Sequence, residues 1–267
     1  MFSKSSIKKI INYLKNKRIK SFNSYEDARK YCLKKTSNCY QSKYLTKYRF
    51  DKTEKFLKNG GNLANSQSAL TLLIALNIFQ NKNPGKVPRV VDFGGSCGES
   101  LILLKLIFKD ELFKDSWIIE SEAMVEESIN WQFSSGLNFN SNLGDILKNY
   151  DFDIFFSSGT IQYLKDPFLP LKLASKKSIP IVAMARNNFS SNPKVVAQTS
   201  KMFDNGINIK IDGYKNHKIF YPNSSVKKKK VINIFKNSKY DLLFDIPENS
   251  SSYGFNTYGS DLIFIKT

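Results

Sequence analysis

The sequence predicts an α/β protein with a doubly wound, mostly parallel sheet of seven strands. An antiparallel C-terminal strand pair closes the sheet, and a helical cap precedes it. Three observations carry this prediction. From residue 89 to residue 184, short apolar runs alternate with helical periods, the pattern of βαβ units. The first of those runs ends in a glycine turn, Gly94-Gly95. The chain then closes on two apolar segments joined by a polar loop, as an antiparallel pair at a sheet's end would be.

Each element has a local reason. Ile7, Ile10, Ile11 and Leu14 recur at helical spacing among lysines, which predicts an amphipathic basic helix suited to a membrane surface or to packing on the protein's own body. Ser24, with Asp27 three residues on, has the chemistry of a helix N-cap. Tyr40 to Lys58 is basic and aromatic, and fits a cap helix or an anion-binding segment. Gly60-Gly61 breaks the chain, so residues 1–60 are expected as the cap and 61–267 as the core domain. Asn62 to Gln80 then reads as an apolar helix, and Asn83-Pro84-Gly85 as a turn.

The strands follow. Arg89–Phe93 is the first, with a helix expected from Glu99 to Phe113. Trp117–Glu120, Leu137–Asn140, Asp153–Phe156 and Ile179–Met184 are the next four, with one helix expected from Ile161 to Ser178. Tyr240–Ile246 and Asp261–Lys266 are the closing pair. Lys227 to Lys230 opens a helix, where four cations oppose the helix dipole. That run is either a solvated patch or an anion contact.

Composition excludes several classes. With 267 residues and 41% apolar content the chain can bury a sizeable core. Its longest apolar runs, Ala69 to Leu76 and Leu101 to Phe108, fall well short of the ~20 residues of a membrane span. Met1 to Phe22 lacks the apolar block of a secretory signal. Cys32, Cys39 and Cys97 are odd in number and lack metal-like spacing, so a reduced cytoplasmic protein without a metal site is expected. The net charge of +18 suits an anionic partner or a solvated lysine surface.

The chemistry concentrates at strand ends. Asp92 precedes Gly94 and Gly95, with Ser96 and Gly98 completing the turn. A dinucleotide fingerprint requires glycines at positions held here by Ser96 and Glu99, so a nicotinamide cofactor is disfavoured. An acid in this place can face an ammonium group and would repel a pyrophosphate. Glu120 ends the second strand, where a carboxylate accepts from ribose hydroxyls. Asp145, after the third strand, stands where an adenine amine could donate to it. Three acids in this order describe a site for S-adenosylmethionine, although each could instead cap a helix or a turn.

These residues resemble a known family. Asp92-Phe93-Gly94-Gly95, then Glu120, Gly144-Asp145 and Ser157-Ser158 leading to Gln162-Tyr163-Leu164, look like a class I, Rossmann-like methyltransferase. More narrowly, the chain is similar to methyltransferases encoded among bacterial surface-polysaccharide genes. Ser24-Tyr25-Glu26-Asp27-Ala28, Tyr40, Tyr44-Leu45, Trp117-Ile118-Ile119-Glu120, Leu137-Asn138-Phe139, Arg186, Val196-Ala197-Gln198 and Tyr221-Pro222 carry that likeness. It spans roughly residues 22 to 266, with one departure at Ser96, where many such enzymes have glycine.

The resemblance implies S-adenosylmethionine held by Asp92, Gly94, Gly95, Ser96, Gly98, Glu120, Asp145 and Ser158. Strand-end geometry places Gln162, Tyr163 and Arg186 near the transferring methyl. Arg186 is expected as a clamp for an anionic acceptor, Tyr163 as a wall of the pocket or a partner of the acceptor oxygen, and Gln198 and Tyr221 as further contacts. Structural roles remain open for Tyr163 as core and for Arg186 as an ion-pair partner. His217 has no acidic partner in sequence and reads as a surface residue, and Cys97 as a packing residue.

The expected partner is a small-molecule or glycan acceptor, with peripheral contact to an anionic inner membrane face through the first helix. Two alternatives stand beside this: an RNA methyltransferase, and a non-catalytic protein that keeps the fold as a scaffold. A nucleic-acid partner is disfavoured, because Ser157-Ser158-Gly159-Thr160 is not the motif of a base amino-methylase and no separate RNA module is visible.

Overall fold

The computed structural model describes residues 20–36, 42–61, 66–108, 112–134, 136–207, 209–248 and 257–267. The basic helix expected around Ile7, Ile10, Ile11 and Leu14 lies outside the described residues, as does Tyr40. The elements in chain order are β1 (Ser21–Phe22), α1 (Tyr25–Leu33), α2 (Lys43–Lys58), α3 (Gln67–Lys82), β2 (Arg89–Phe93), α4 (Glu99–Phe108), β3 (Lys114–Ile119), α5 (Glu122–Ser128) and β4 (Leu137–Asn140). They continue with α6 (Leu143–Asn149), β5 (Ile154–Ser158), a 3-10 turn at Ile161–Tyr163, α7 (Leu169–Lys177), β6 (Ile181–Phe189), β7 (Val195–Lys201), β8 (Lys218–Ser224), α8 (Lys228–Lys236), β9 (Tyr240–Pro247) and β10 (Tyr258–Lys266).

Seven strands form the main sheet in the order β4-β3-β2-β5-β6-β10-β9. Pairings from β4 through β6 are parallel, and β10 runs antiparallel to both β6 and β9. This is the expected α/β architecture with its antiparallel closing pair. Strand order reverses between β2 and β5, so a crevice opens outside their carboxyl ends.

Alternation along the strands sends neighbours to opposite faces. Val90, Ile118, Ile154 and Phe156 pack with Leu72, Leu76, Leu101 and Leu104 of α3 and α4. Val91, Ile119, Phe155 and Val182 pack on the other face with Leu147, Leu171, Val231 and Phe235 of α6, α7 and α8.

Three expectations need correction. The helix expected from Ile161 to Ser178 is broken into a 3-10 turn and α7. Asp166 accepts from Phe168 N at 2.9 Å, and Pro170 sits in the first turn of α7, where its fixed φ starts a helix but cannot continue one. The helix from Glu99 ends at Phe108, and Phe113 is instead buried just ahead of β3. The last parallel strand runs on to Phe189, well past Met184.

A second sheet, in the order β1-β7-β8 and all antiparallel, was not foreseen. Ser21 pairs with Val196 and Phe22 with Val195, so the expected cap segment is tied to the core by strand pairing. Leu45 and Tyr48 of α2 pack with Ile219 and Tyr221 of this sheet and with Met202, just past β7. Ser24 caps α1 as expected, accepting from Asp27 N at 3.1 Å.

Lys52 of α2 is 1% exposed and donates to Phe203 O at 2.8 Å and Asn205 O at 2.9 Å. Burial lowers its pKa to about 8, helped by nearby Arg49 and opposed by Asp204. The unfolded chain therefore holds the proton more tightly, and protonation of this group disfavours the fold. Relative to Lys52→Met, the wild type is expected to gain stability as pH rises from 8 toward the ordinary lysine value of 10.5. Thermal unfolding midpoints of the pair across that range check it; a flat difference would refute it.

Candidate functional site

The crevice between β2 and β5 is built from two interlocked turns. Gly94 has φ 73°, and a Cβ there would overlap the side chain of Thr160. A Cβ on Gly95 would meet the Asp92 carboxylate at 2.5 Å. Thr160 Oγ1 donates to Gly94 O at 3.3 Å, and Ser157 Oγ donates to Phe93 O at 2.9 Å. Only glycine permits this closeness. Gly98 closes the turn, its N–H donating to Gly95 O at 2.8 Å, and accepts from Ile102 N to begin α4.

Asp92 is 1% exposed, and its Oδ1 has no hydrogen-bond partner. Burial raises its pKa well above the usual carboxylate range, with the charges of Glu99 and Glu120 adding to the effect. Glu120, just past β3, accepts from Ser96 N at 3.0 Å and Ser121 N at 2.9 Å. Two donors leave roughly two of the ~four lone-pair sites of a carboxylate for a ligand. Asp145 is exposed in the first turn of α6, where it accepts from Asn142 Nδ2 at 2.8 Å beside the cap that Asn142 makes. It stands within a helix instead of directly behind the strand. Ser158 shares a 2.6 Å hydrogen bond with Ser68 of α3.

Ser96 adopts φ 58°, the left-handed region that explains why glycine is usual there. Its hydroxyl offers something glycine cannot: Arg49 Nη2 of α2 donates to Ser96 Oγ at 2.6 Å. Sequence reasoning missed Arg49, although it lies in the basic aromatic segment already marked as an anion contact. It also missed Glu99, which accepts from Cys97 N at 3.2 Å. Burial raises the Glu99 pKa, while Arg49 and then Arg186 draw it down. Cys97 is fully buried and its pKa is pushed far up by burial, so the thiol stays protonated and only packs.

On the β5–β6 side, Arg186 sits at a bulge opposite Asp261, with φ 54°. Its N–H donates to Asp261 Oδ1 at 2.9 Å, and Asp261 Oδ2 accepts from Thr71 Oγ1 at 2.6 Å. Asp261 thus holds the backbone of Arg186, and among the described residues its guanidinium makes no ion pair. The guanidinium is exposed and lies over Gly159, whose added Cβ would stand 3.8 Å from Arg186 Cζ. Bulges at such rims re-aim side chains, and this one turns a cation toward the crevice.

Gln162 is 2% exposed and donates to Arg186 O at 3.3 Å, and its Oε1 has no partner. Tyr163 is half-buried, edge-on to Tyr221, and its O accepts from Tyr25 Oη at 2.6 Å. Its hydroxyl hydrogen-bonds with Gln162 and Asn223; burial raises its pKa against the lowering charges of Arg186 and Arg49. Gln198 accepts from Asn223 Nδ2 at 2.7 Å, and Asn188 donates to Asn223 Oδ1 at 2.8 Å. Gln198 therefore meets Tyr163 through Asn223, while His217 stands apart, its Nδ1 3.1 Å from Lys215 O.

A buried carboxylate with an open oxygen, a glycine cradle and a half-engaged Glu120 suit an ammonium and a diol. Asp92→Asn removes the cost of ionising a buried acid. Because the folded state holds the Asp92 proton more tightly than the unfolded chain, wild-type stability falls as pH rises above the ordinary carboxylate range. The Asp92→Asn variant is expected to overtake the wild type between about pH 4 and 7 by ~1–3 kcal/mol. Denaturant unfolding at several pH values checks this, and a constant gap between the two would refute it.

No protein-family model and no curated protein matches the sequence. Among solved structures the chain is similar to an S-adenosylmethionine-dependent methyltransferase from Clostridium acetobutylicum ATCC 824. That likeness has 13% identity and a TM-score of 0.51, over 76% of this chain and 94% of that one. It is also similar to magnesium protoporphyrin IX methyltransferase from Synechocystis PCC 6803, solved with S-adenosylmethionine bound, at 10% identity and TM-score 0.46 over 74% and 79% of the two chains. A third is the 1,6-didemethyltoxoflavin-N1-methyltransferase of Burkholderia thailandensis, at 11% identity and TM-score 0.45 over 82% and 87%. The first likeness and the strand order observed here give the chain the class I methyltransferase fold.

Proposed function

We propose that the protein is an S-adenosylmethionine-dependent methyltransferase whose acceptor is an anionic, hydroxyl-bearing molecule: a sugar, a sugar phosphate or a nascent surface glycan. One observation carries the reading. A carboxylate with a buried, unpartnered oxygen lies under a glycine turn at the end of β2, and on the β5–β6 side an exposed arginine on a strained backbone lies beside Gly159. Asp92, Gly94, Gly95, Ser96, Gly98, Glu120, Asp145 and Ser158 are the residues we assign to the cofactor. When bound, the cofactor supplies a sulfonium-activated methyl group.

The chain's own residues then have modest work. Arg186 orients the acceptor's negative group, and a fixed guanidinium does so through paired donors. Tyr163, its pKa raised by burial, stays a phenol at neutral pH. The Gln162 and Asn223 amides donate to its Oη, so its O–H is left to donate to the acceptor's oxygen. Gln162 Oε1 offers an acceptor for a sugar hydroxyl. Positioning of this kind can supply much of a methyl transfer's rate, because the leaving group is already activated.

The scaffold reading draws on one observation, that Glu120 and Ser96 are already bonded within the chain. Calorimetry with S-adenosylmethionine separates the two, since a scaffold gives no heat.

Glu120→Ala is expected to weaken cofactor binding ~10–100-fold, the worth of hydrogen bonds to a charged group. Arg186→Ala is expected to leave cofactor affinity within ~3-fold and to lower methyl transfer by ~100-fold or more, as misplacement does. Calorimetry and transfer of labelled methyl to sugar phosphates and uronates check both variants. Equal loss of binding in both would overturn the division of roles.

A further inference from the structure

Away from the crevice, α7 and α8 lie side by side over the apolar cluster that contains Leu171, Val231 and Phe235. The two helices carry seven lysines and no carboxylate. Lys177 pairs with Asp151 and Lys228 with Asp245. Lys172, Lys176, Lys229, Lys230 and Lys236 are exposed. Between the helices runs a groove of about 320 Å³, floored by Phe168 and Ile234 and rimmed by Lys172 and Lys230. Leu169, beside it, is 52% exposed.

The arrangement opposes local stability. Lys228, Lys229 and Lys230 fill the first turn of α8, whose cap residue Lys227 makes no side-chain cap hydrogen bond. Cations there face the positive end of the helix dipole, and an external anionic layer would offset that. Both first turns also open at the rim of the crevice. α7 follows the turn that holds Gln162 and Tyr163. Val226, just before α8, bridges to Phe189 at the end of the strand that carries Arg186.

We propose that this face docks the protein on an anionic lipid bilayer, with the lysines at the headgroups and Leu169 and the groove floor at the interfacial layer. Nucleic acid fits less well. The helices present lysine without arginine and no exposed aromatic ring, whereas single strands are held by stacking platforms. Docking here brings the crevice rim to the membrane surface, where lipid-linked acceptors stand. The proposal uses none of the crevice residues and does not depend on which acceptor is methylated.

Cosedimentation of the full chain tests it, with vesicles of phosphatidylcholine alone or with about one-third phosphatidylglycerol, at about 0.1 M salt. Wild type is expected on the anionic vesicles only. Each lysine near such a surface is worth roughly fivefold in binding, so Lys172→Glu with Lys230→Glu is expected to lower it at least ~20-fold. Leu169→Ser, which removes the apolar side chain without adding charge, should also lower it, which a purely electrostatic contact to a polyanion would not require. Thermal unfolding confirms that the variants remain folded. Undiminished vesicle binding by the folded double variant would place the contact elsewhere in the chain and overturn the proposal. So would wild type that ignores anionic vesicles, or that binds single-stranded RNA through these lysines in preference to lipid.

Discussion

The buried carboxylate of Asp92 is the constraint around which the rest is arranged. An acid in the fully covered end of a central strand costs free energy unless a partner arrives, and nothing in the fold requires one there. Its neighbours make matters worse, since Glu99 and Glu120 raise its pKa further. The turn above it is held open by glycines and stapled to the neighbouring strand by Ser157 and Thr160. A chain selected for stability alone would have placed valine or asparagine at this position. Retaining the acid makes sense if a cation comes to meet it.

The proposed acceptor side has a different construction. Main-sheet strands supply Arg186, but the amides behind Tyr163 come from β7 and β8 of the small sheet. That sheet is held against α2 by the Tyr48 and Met202 cluster, by Lys52 reaching the carbonyls after β7, and by Tyr214 bonding Asp51. The same helix sends Arg49 into the glycine turn. One helix therefore touches both halves of the crevice, so movement of α2 would change the proposed cofactor cradle and acceptor wall together.

Legibility followed the range of the forces involved. The parallel strands and their order of appearance could be read because burial on both faces makes each a continuous apolar run, as in Val90-Val91 and Phe155-Phe156. Asp92, Glu120 and the glycines were readable because turn chemistry is local. The small sheet was not. Its strands, such as Val195–Lys201 with the pattern VVAQTSK, are half polar and pair across long separations, with β1 contributing only two residues. The break before α7 escaped because the apolar period continues across it, and the Asp166 side chain that turns the chain ahead of the helix is one residue in a run of turn formers. Arg49 escaped for a similar reason. No spacing in α2 announces that, of its six cations, Lys52 is buried and Arg49 reaches the glycine turn, between the buried Tyr48 and Phe50.

Strain tells the same story as charge. Non-glycine residues with positive φ cost about 1–3 kcal/mol each, and among the described residues there are five: Ser96, Asp115, Ser178, Arg186 and Lys239. Ser178 ends α7 in the left-handed cap position, where such geometry is ordinary. Ser96 and Arg186 instead stand on opposite lips of the crevice. Each is held by the same device, its N–H donated to a carboxylate, Glu120 in one case and Asp261 in the other. Asp261 is itself fastened by Thr71 and Gln67 of α3. Two strained backbones, each fixed by an acid that another element supplies, place a hydroxyl and a guanidinium where relaxed strands would not. Strain secured from two sides at one crevice is what the proposed site, which must orient two ligands, would require.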